Sequence, residues 1–313
     1  VPTPYVTPTI IQNAPTGVPW SIIPQQGAAA LAQFAEQTNM AWRVTHDMDR
    51  ICNQPLRATL DTEEEVGPDF RLTVDAHGIG HLIASRWPIL SVIGAQVSPA
   101  ASFPPAWQTL PAGAVRPHTG IIGAYGTTTP GSGAQGPVEL DIAPGWVSWY
   151  NGRTGTRLAV AYLNGWPHAG LTATANQNAT TLQVDDVTGF SGAAPFIYDG
   201  ANTEQVAVTF VTAANYETVM GQNVPVGPGT LSLAAPLAYT HTVTPGASSV
   251  LVTAMPADLQ KAGIWIIAAD ALEAGIEGVV ISDLRGAEQS SRGGAASLRV
   301  EAEVILHSYR RAL

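Results

Sequence analysis

Apolar residues between Ala28 and Cys52 recur at the three-and-four spacing of one helical face. Leu31, Phe34, Ala35, Ala41, Trp42, Met48 and Cys52 carry it, with Thr38 and Thr45 in step. Pro55 ends this predicted helix, and the period then falls to two. Phe70 to Asp75 alternates, Leu82 to Ser85 continues the pattern, and Trp87 to Ile93 is an apolar strand. Glu63, Glu64 and Glu65 are read as a solvated turn between strands. Trp146 to Trp166 predicts two short strands around the hairpin signal Asn151-Gly152, with Leu158, Val160 and Tyr162 on one face.

From Leu171 to Val252 the pattern is β throughout. Thr181 to Val187 alternates, Phe196 to Tyr198 and Gln205 to Val211 flank Asp199-Gly200, and Thr230 to Leu233 and Ser249 to Thr253 supply further strands. About five or six short strands separated by turns predict a small barrel or sandwich. Helical spacing returns after Pro256. Leu259, Ala262, Ile264, Trp265, Ile266, Ile267 and Leu272 make that helix apolar on nearly every side, which predicts burial all round. A last amphipathic stripe comprises Leu298, Ala302, Ile305, Leu306 and Tyr309, with Arg310 and Arg311 where cations suit the helix dipole.

Tyr162-Leu-Asn-Gly165-Trp166 closes a strand, and Met255-Pro256-Ala-Asp-Leu259 opens a helix, as the two ends of one short connection would. Residues 171–254 therefore read as a β domain inserted into a loop. Six prolines in residues 1–24 predict an extended arm without a regular helix. The apolar side chains of that arm, Tyr5, Ile10, Ile11 and Trp20 among them, are expected to pack on its own core or on a neighbouring subunit. Residues 99–145, rich in Pro, Gly, Ser and Thr, read as a long loop ordered by function or a partner. The fold class expected is α+β: a small helical core with short strands over 25–98, 146–170 and 255–313, plus the inserted all-β domain.

Composition narrows the functions. The 313 residues suggest about two domains. With 45% hydrophobic and only 12% charged residues, the chain can bury a core and leaves surface for partners. A net charge of −10 with only 14 Lys and Arg argues against gripping DNA through its phosphates. No apolar run reaches the length of a membrane span. The single cysteine, Cys52, lies in a helical pattern and reads as a small buried apolar residue. Glycine-flanked serines at 132 and 191 lack the bracketing of a nucleophile elbow, and no phosphate loop or dinucleotide fingerprint occurs.

His77 and His81 are four apart, but Gly78 and Gly80 place them on a turn or strand edge instead of one helical face, so they are not read as ligands. His46, Asp49 and Arg50 read as a surface polar group. Asp185, Asp186, Asp199 and Glu204 read as turn acids and a strand-entry residue, not as a calcium loop. No catalytic, cofactor or metal residues are assigned, and the chain is read as a non-enzyme.

Four phrases in order carry a resemblance. They are the strand ending Trp87-Pro88-Ile89-Leu90-Ser91-Val92, the strand end Tyr162-Leu-Asn-Gly165-Trp166, the helix start Pro256-Ala-Asp-Leu259-Gln-Lys-Ala262, and the final Leu306-His-Ser-Tyr309-Arg310-Arg311. Together with the 28–52 helix they resemble the head-tail adaptor (connector) proteins of long-tailed bacteriophages, over roughly residues 28–98, 146–168 and 255–313. The resemblance implies a homo-oligomeric ring, usually twelve-fold, beneath the portal protein. Its channel would pass DNA without sequence-specific binding, and a stopper or tail-terminator protein would sit on the tail side. It implies a place in the virion neck after assembly in the bacterial cytoplasm, with no membrane partner. Tyr309, Arg310, Arg311 and Leu313 would dock the portal, and Tyr5, Ile10, Ile11, Trp20, Trp265 and Ile266 would line subunit interfaces. The alternatives are another virion structural protein, such as a capsid decoration or tail component, and then a carbohydrate-active enzyme using Trp146, Trp149 and Trp166 as a sugar platform.

Overall fold

A computed structural model describes residues 3–14, 16, 18, 20, 30–66, 71–99, 102–118, 139–147, 149–150, 153–243, 250–273 and 291–310. Strand accounts for 37% and helix for 26%. The expected small helical core is thereby corrected. The chain is mostly β, with antiparallel sheets as its main architecture, and an α+β label fits only loosely. Two expectations fail for physical reasons. The three-glutamate run lies in a strand, where Glu63 finds donors in Arg71 and Ser85, and the 99–145 stretch contributes strands where it is described, with 100–101 and 119–138 outside the described residues.

Contacts divide the chain into two compact units. The first takes 1–56, 167–214 and 227–310, and the second takes 57–166 and 215–226. In the first, helix α1 (Pro8–Asn13) occupies the segment expected to be an extended arm. Pro8 stands in its first turn, where the missing N–H costs nothing, and the Thr7 side chain caps the amide of Ile10. Tyr5 anchors the segment. Its amide donates to Thr45 Oγ1 at 2.9 Å, its hydroxyl donates to Asp49 Oδ1 at 2.7 Å, and the Leu56 amide donates to that hydroxyl at 3.0 Å.

Helix α2 (Ala30–Cys52) forms where the spacing predicts a helix, and Ala41, Thr45, Met48 and Cys52 of the predicted stripe are buried, but Ala35 is exposed and Gln37, Met40 and Val44, outside the stripe, are buried instead. In the second unit, β1 (Thr59–Val66) is followed by β2 (Leu72–Val74), β3 (Gly80–Ile83), β4 (Ile89–Pro99), β5 (Gln108–Thr109) and β6 (Val115–Pro117). Strands β7 (Glu139–Ile142), β8 (Trp149–Tyr150), β9 (Arg153–Thr154) and β10 (Thr156–Asn164) complete it. One sheet runs β1-β10-β4-β5 and another β2-β3-β7-β6, with β8 and β9 as a separate hairpin. The two larger sheets share one core. Leu72, Leu82, Leu140 and Ile142 of the smaller sheet meet Ile89, Val97, Leu158, Val160 and Tyr162 of the other. Strand β10 is buried at every position but Arg157, so its Leu158-Ala-Val-Ala-Tyr-Leu163 run reads as continuous apolar sequence and not as strict alternation.

The chain then supplies β11 (His168–Gly170), β12 (Thr181–Val184), β13 (Phe196–Tyr198), β14 (Glu204–Gln205), β15 (Val208–Val219), β16 (Gln222–Leu233) and β17 (Leu251–Thr253). These form the sheets β11-β17-β13-β14 and β12-β16-β15, around Leu182, Phe190, Ile197, Leu231 and Val252. Helix α3 (Ala257–Glu273) is buried on most sides, as its composition predicts. A Cβ at Gly263 would stand 3.0 Å from Met48 Sδ and 3.2 Å from Val6 Cγ1, so the bare glycine is what lets α2 and the N-terminal segment close on α3.

Helix α4 (Ser291–Ser308) turns Ala302 and Leu306 inward. Tyr309, just beyond it, is buried and its hydroxyl reaches both Asp258 carboxylate oxygens, at 2.9 and 2.8 Å. Burial first, then the Asp258 carboxylate, pushes this phenol far above its ordinary range, so it acts only as a donor. Cys52 is packed beneath the same end, its thiol pushed up to about 12 by burial and by Asp49, and inert at neutral pH. Tyr309→Phe is expected to lower unfolding stability by about 1–2 kcal/mol, because it removes the hydroxyl donor from a half-buried carboxylate and leaves it the Leu259 amide. Urea denaturation of the two proteins reads the difference, and equal midpoints would show that the contact contributes nothing.

Candidate functional site

In the smaller sheet of the second unit, the period of two sorts side chains by face. Leu72, Leu82 and Leu140 lie in register across β2, β3 and β7 and turn into the core. Their strand neighbours must turn away. His81 pairs with Asp141 across β3 and β7, Glu139 lies diagonally from His81, and the His118 amide bonds the Glu139 carbonyl just after β6. Cross-strand neighbours on one face stand about 4.5–5.5 Å apart at Cβ, close enough for these side chains to converge.

They do converge. One ligand-type atom from each of His81, His118, Glu139 and Asp141 lies within 4.8 Å of the other three. His118 Nδ1 is 2.6 Å from Asp141 Oδ1, and His81 Nδ1 is 2.9 Å from Glu139 Oε1 and 3.2 Å from Asp141 Oδ1. His81 Nδ1 is buried and makes no hydrogen bond, although the two carboxylates are within reach, so its contacts are close but misdirected. On the other edge of the ring, His81 Nε2 is 3.7 Å from Asp75 Oδ2. Asp75 is itself fixed. Its Oδ1 accepts from the amides of His77 and Ile79 at 2.8 and 2.9 Å in a turn where Gly78 takes φ +78°. The Ile79 amide leads the causes that hold the Asp75 carboxyl below its usual range, against the opposing effect of desolvation.

A second histidine cluster sits in the first unit. His241 is buried, with Nδ1 3.1 Å from Asp199 Oδ2 and Nε2 3.0 Å from Glu204 Oε1. Glu204 also accepts from the amides of Ala238 and Tyr239, both at 3.0 Å. Both ring nitrogens of His241 and both carboxylate oxygens of Glu204 have partners in the chain, which makes the cluster a staple for strand ends. Desolvation tends to raise the Glu204 carboxyl, but the amides of Ala238 and Tyr239 and the His241 ring outweigh it and leave the carboxyl lowered. Asp185 and Asp186 are turn acids: the former takes the Gly170 amide and Thr3 hydroxyl, the latter the Thr188 amide and hydroxyl.

The residues singled out for partner contacts fall elsewhere. Tyr5, Ile11, Trp20 and Ile266 are buried by the chain's own packing and fill its core, while Ile10 and Trp265 are half-buried. The Lys261 ammonium stands 4.1 Å from the Trp265 ring centroid. Tyr309 is internal and tied to Asp258, Arg310 is exposed, and Arg311 and Leu313 lie outside the described residues. Of the three tryptophans named for a sugar platform, the Trp149 side chain lies outside the described residues. Trp166 is buried with its ring centroid 6.2 Å from that of Trp87, and Trp146 packs on the core of its unit.

A lowered carboxyl stabilises the fold above its unfolded value of about 4.3 and loses that contribution as pH falls through the folded value. Glu204→Gln is therefore expected to melt at a lower temperature near neutral pH and to show a shallower loss of melting temperature on acidification. Parallel pH profiles of the two proteins would remove Glu204 from the acid response. Among the described residues no helix is long and apolar enough to cross a membrane. Comparison with known protein families, curated proteins and solved structures finds no match for this chain.

Proposed function

We propose that this chain is a structural subunit of a phage-type virion, a head-tail adaptor that forms a ring below the portal and extends the DNA channel. The observation that carries the reading is the outer face of α4. Ala302, Leu306 and Tyr309 are turned inward, yet Val300 and Val304, one helical turn apart, are 60% and 68% exposed. Two adjacent β-branched side chains gain nothing from water and lower helix propensity, so a neighbouring surface is their natural cover. A repeated head-to-tail contact of this kind closes into a ring when the rotation fits.

Other features agree with a structural role. The buried histidine cluster around His241 is internally satisfied, and the thiol of Cys52 is inert. The net charge of −10 would keep a DNA channel from binding its cargo. The Tyr162–Trp166, Pro256–Ala262 and Leu306–Arg311 phrases supply the family likeness. Portal contact falls to Arg310 and the residues after it, with Tyr309 holding the end of α4 in place through Asp258. A stopper or tail-terminator protein is the tail-side partner, and the neck of the virion, assembled in the bacterial cytoplasm, is the location.

Sedimentation or native mass spectrometry of the purified chain is expected to show a closed ring of about twelve copies. The double variant Val300→Asp, Val304→Asp is expected to run as a monomer with an unchanged circular dichroism spectrum. A wild-type chain that stays monomeric at tens of micromolar, or a variant that still forms rings, would contradict the proposed interface.

A further inference from the structure

We infer that His81, His118, Glu139 and Asp141 form a structural binding site for one divalent transition-metal ion, of which zinc is the best fit. The donor set decides the class. Two imidazole nitrogens with two carboxylates suit zinc and its first-row neighbours, whereas calcium takes six to eight oxygens and magnesium keeps most of its waters. Four protein ligands leave no open position, which marks a structural and not a catalytic centre.

Distance and charge agree. A tetrahedral ion with ligands at about 2.0–2.1 Å holds them roughly 3.3 Å apart, and the contacts already present are 2.6, 2.9 and 3.2 Å. All four ligand atoms lie within 4.8 Å of one another, so shifts of side chains alone suffice. The buried His81 Nδ1, which makes no hydrogen bond between two carboxylates, is the atom that an ion would satisfy. Glu139 and Asp141 balance a divalent charge. Outside them, Asp75 faces His81 Nε2 at 3.7 Å, in the place of the carboxylate that orients a ligating histidine. Exposed Arg116 lies opposite Asp141 in the sheet register. The site draws on β3, β7 and the residue after β6, so an ion there would clamp three neighbouring strands.

The test uses the full chain, stripped with a chelator and titrated with zinc chloride by calorimetry. One ion per chain at micromolar or tighter affinity is expected, together with a rise in melting temperature. Glu139→Gln and His118→Ala are each expected to weaken binding at least about tenfold, Asp75→Asn about tenfold, and His77→Ala, on the neighbouring turn, not at all. Cobalt is expected to give the intense visible bands of a four-coordinate ion, and Glu139→Gln to weaken them. The near-isosteric Glu139→Gln keeps the test open if His118→Ala fails to fold. No binding at micromolar zinc, or equal losses from His77→Ala and Glu139→Gln, would overturn the site.

Discussion

The alternation of side chains across the sheet β2-β3-β7-β6 is the constraint on which the second unit and its candidate site depend. One face must be apolar because it packs against β10 and β4, where Leu158, Val160 and Tyr162 are wholly buried. At about 25 cal/mol per Å² of apolar surface removed from water, several large side chains together fix the register firmly. A slip of one residue would put His81, Glu139 and Asp141 into the core and Leu82, Leu140 and Ile142 into water. The polar convergence on the outer face is thus a consequence of the apolar packing behind it.

The same economy appears where polar groups enter the sheet. Glu63, on β1, accepts from the amide and hydroxyl of Ser85, from the hydroxyl of Tyr162 and from Arg71. Desolvation and then Glu63 push the Tyr162 phenol above its ordinary range, so it remains a donor inside the core. Asp61, two residues earlier, pairs with Arg86 and accepts from the Asn164 side chain at 2.5 Å. An acidic strand is tolerated beside a buried one because these carboxylates have donors from neighbouring segments.

What the sequence made legible follows the range of the interactions. Helices α2 and α3, the stripe of α4 and the apolar β10 are local patterns, and each lies where its spacing places it. Helix α1 escaped because a proline count says nothing of position, and Pro8 occupies the one turn that tolerates it. Strand β1 escaped because Glu63, Glu64 and Glu65 look like solvent, while the donors that hold Glu63 come from residues 71, 85 and 162. The metal-type cluster was beyond reach for the same reason. Gly80-His-Leu-Ile83 and Glu139-Leu-Asp-Ile142 each alternate visibly, but nothing local pairs them across more than fifty residues or adds His118. Tyr309, read as a docking residue from its motif, is held inward by Asp258, a partner also invisible to local pattern.

The central claim is that apolar packing on one face of the small sheet assembles a metal-binding face on the other. Crystals of the full chain grown with zinc, with data collected on both sides of the zinc absorption edge, test this directly. The account expects one anomalous peak per chain, bounded by His81, His118, Glu139 and Asp141 at about 2.0–2.2 Å. A map with no peak there, or with the four side chains turned apart, would contradict it.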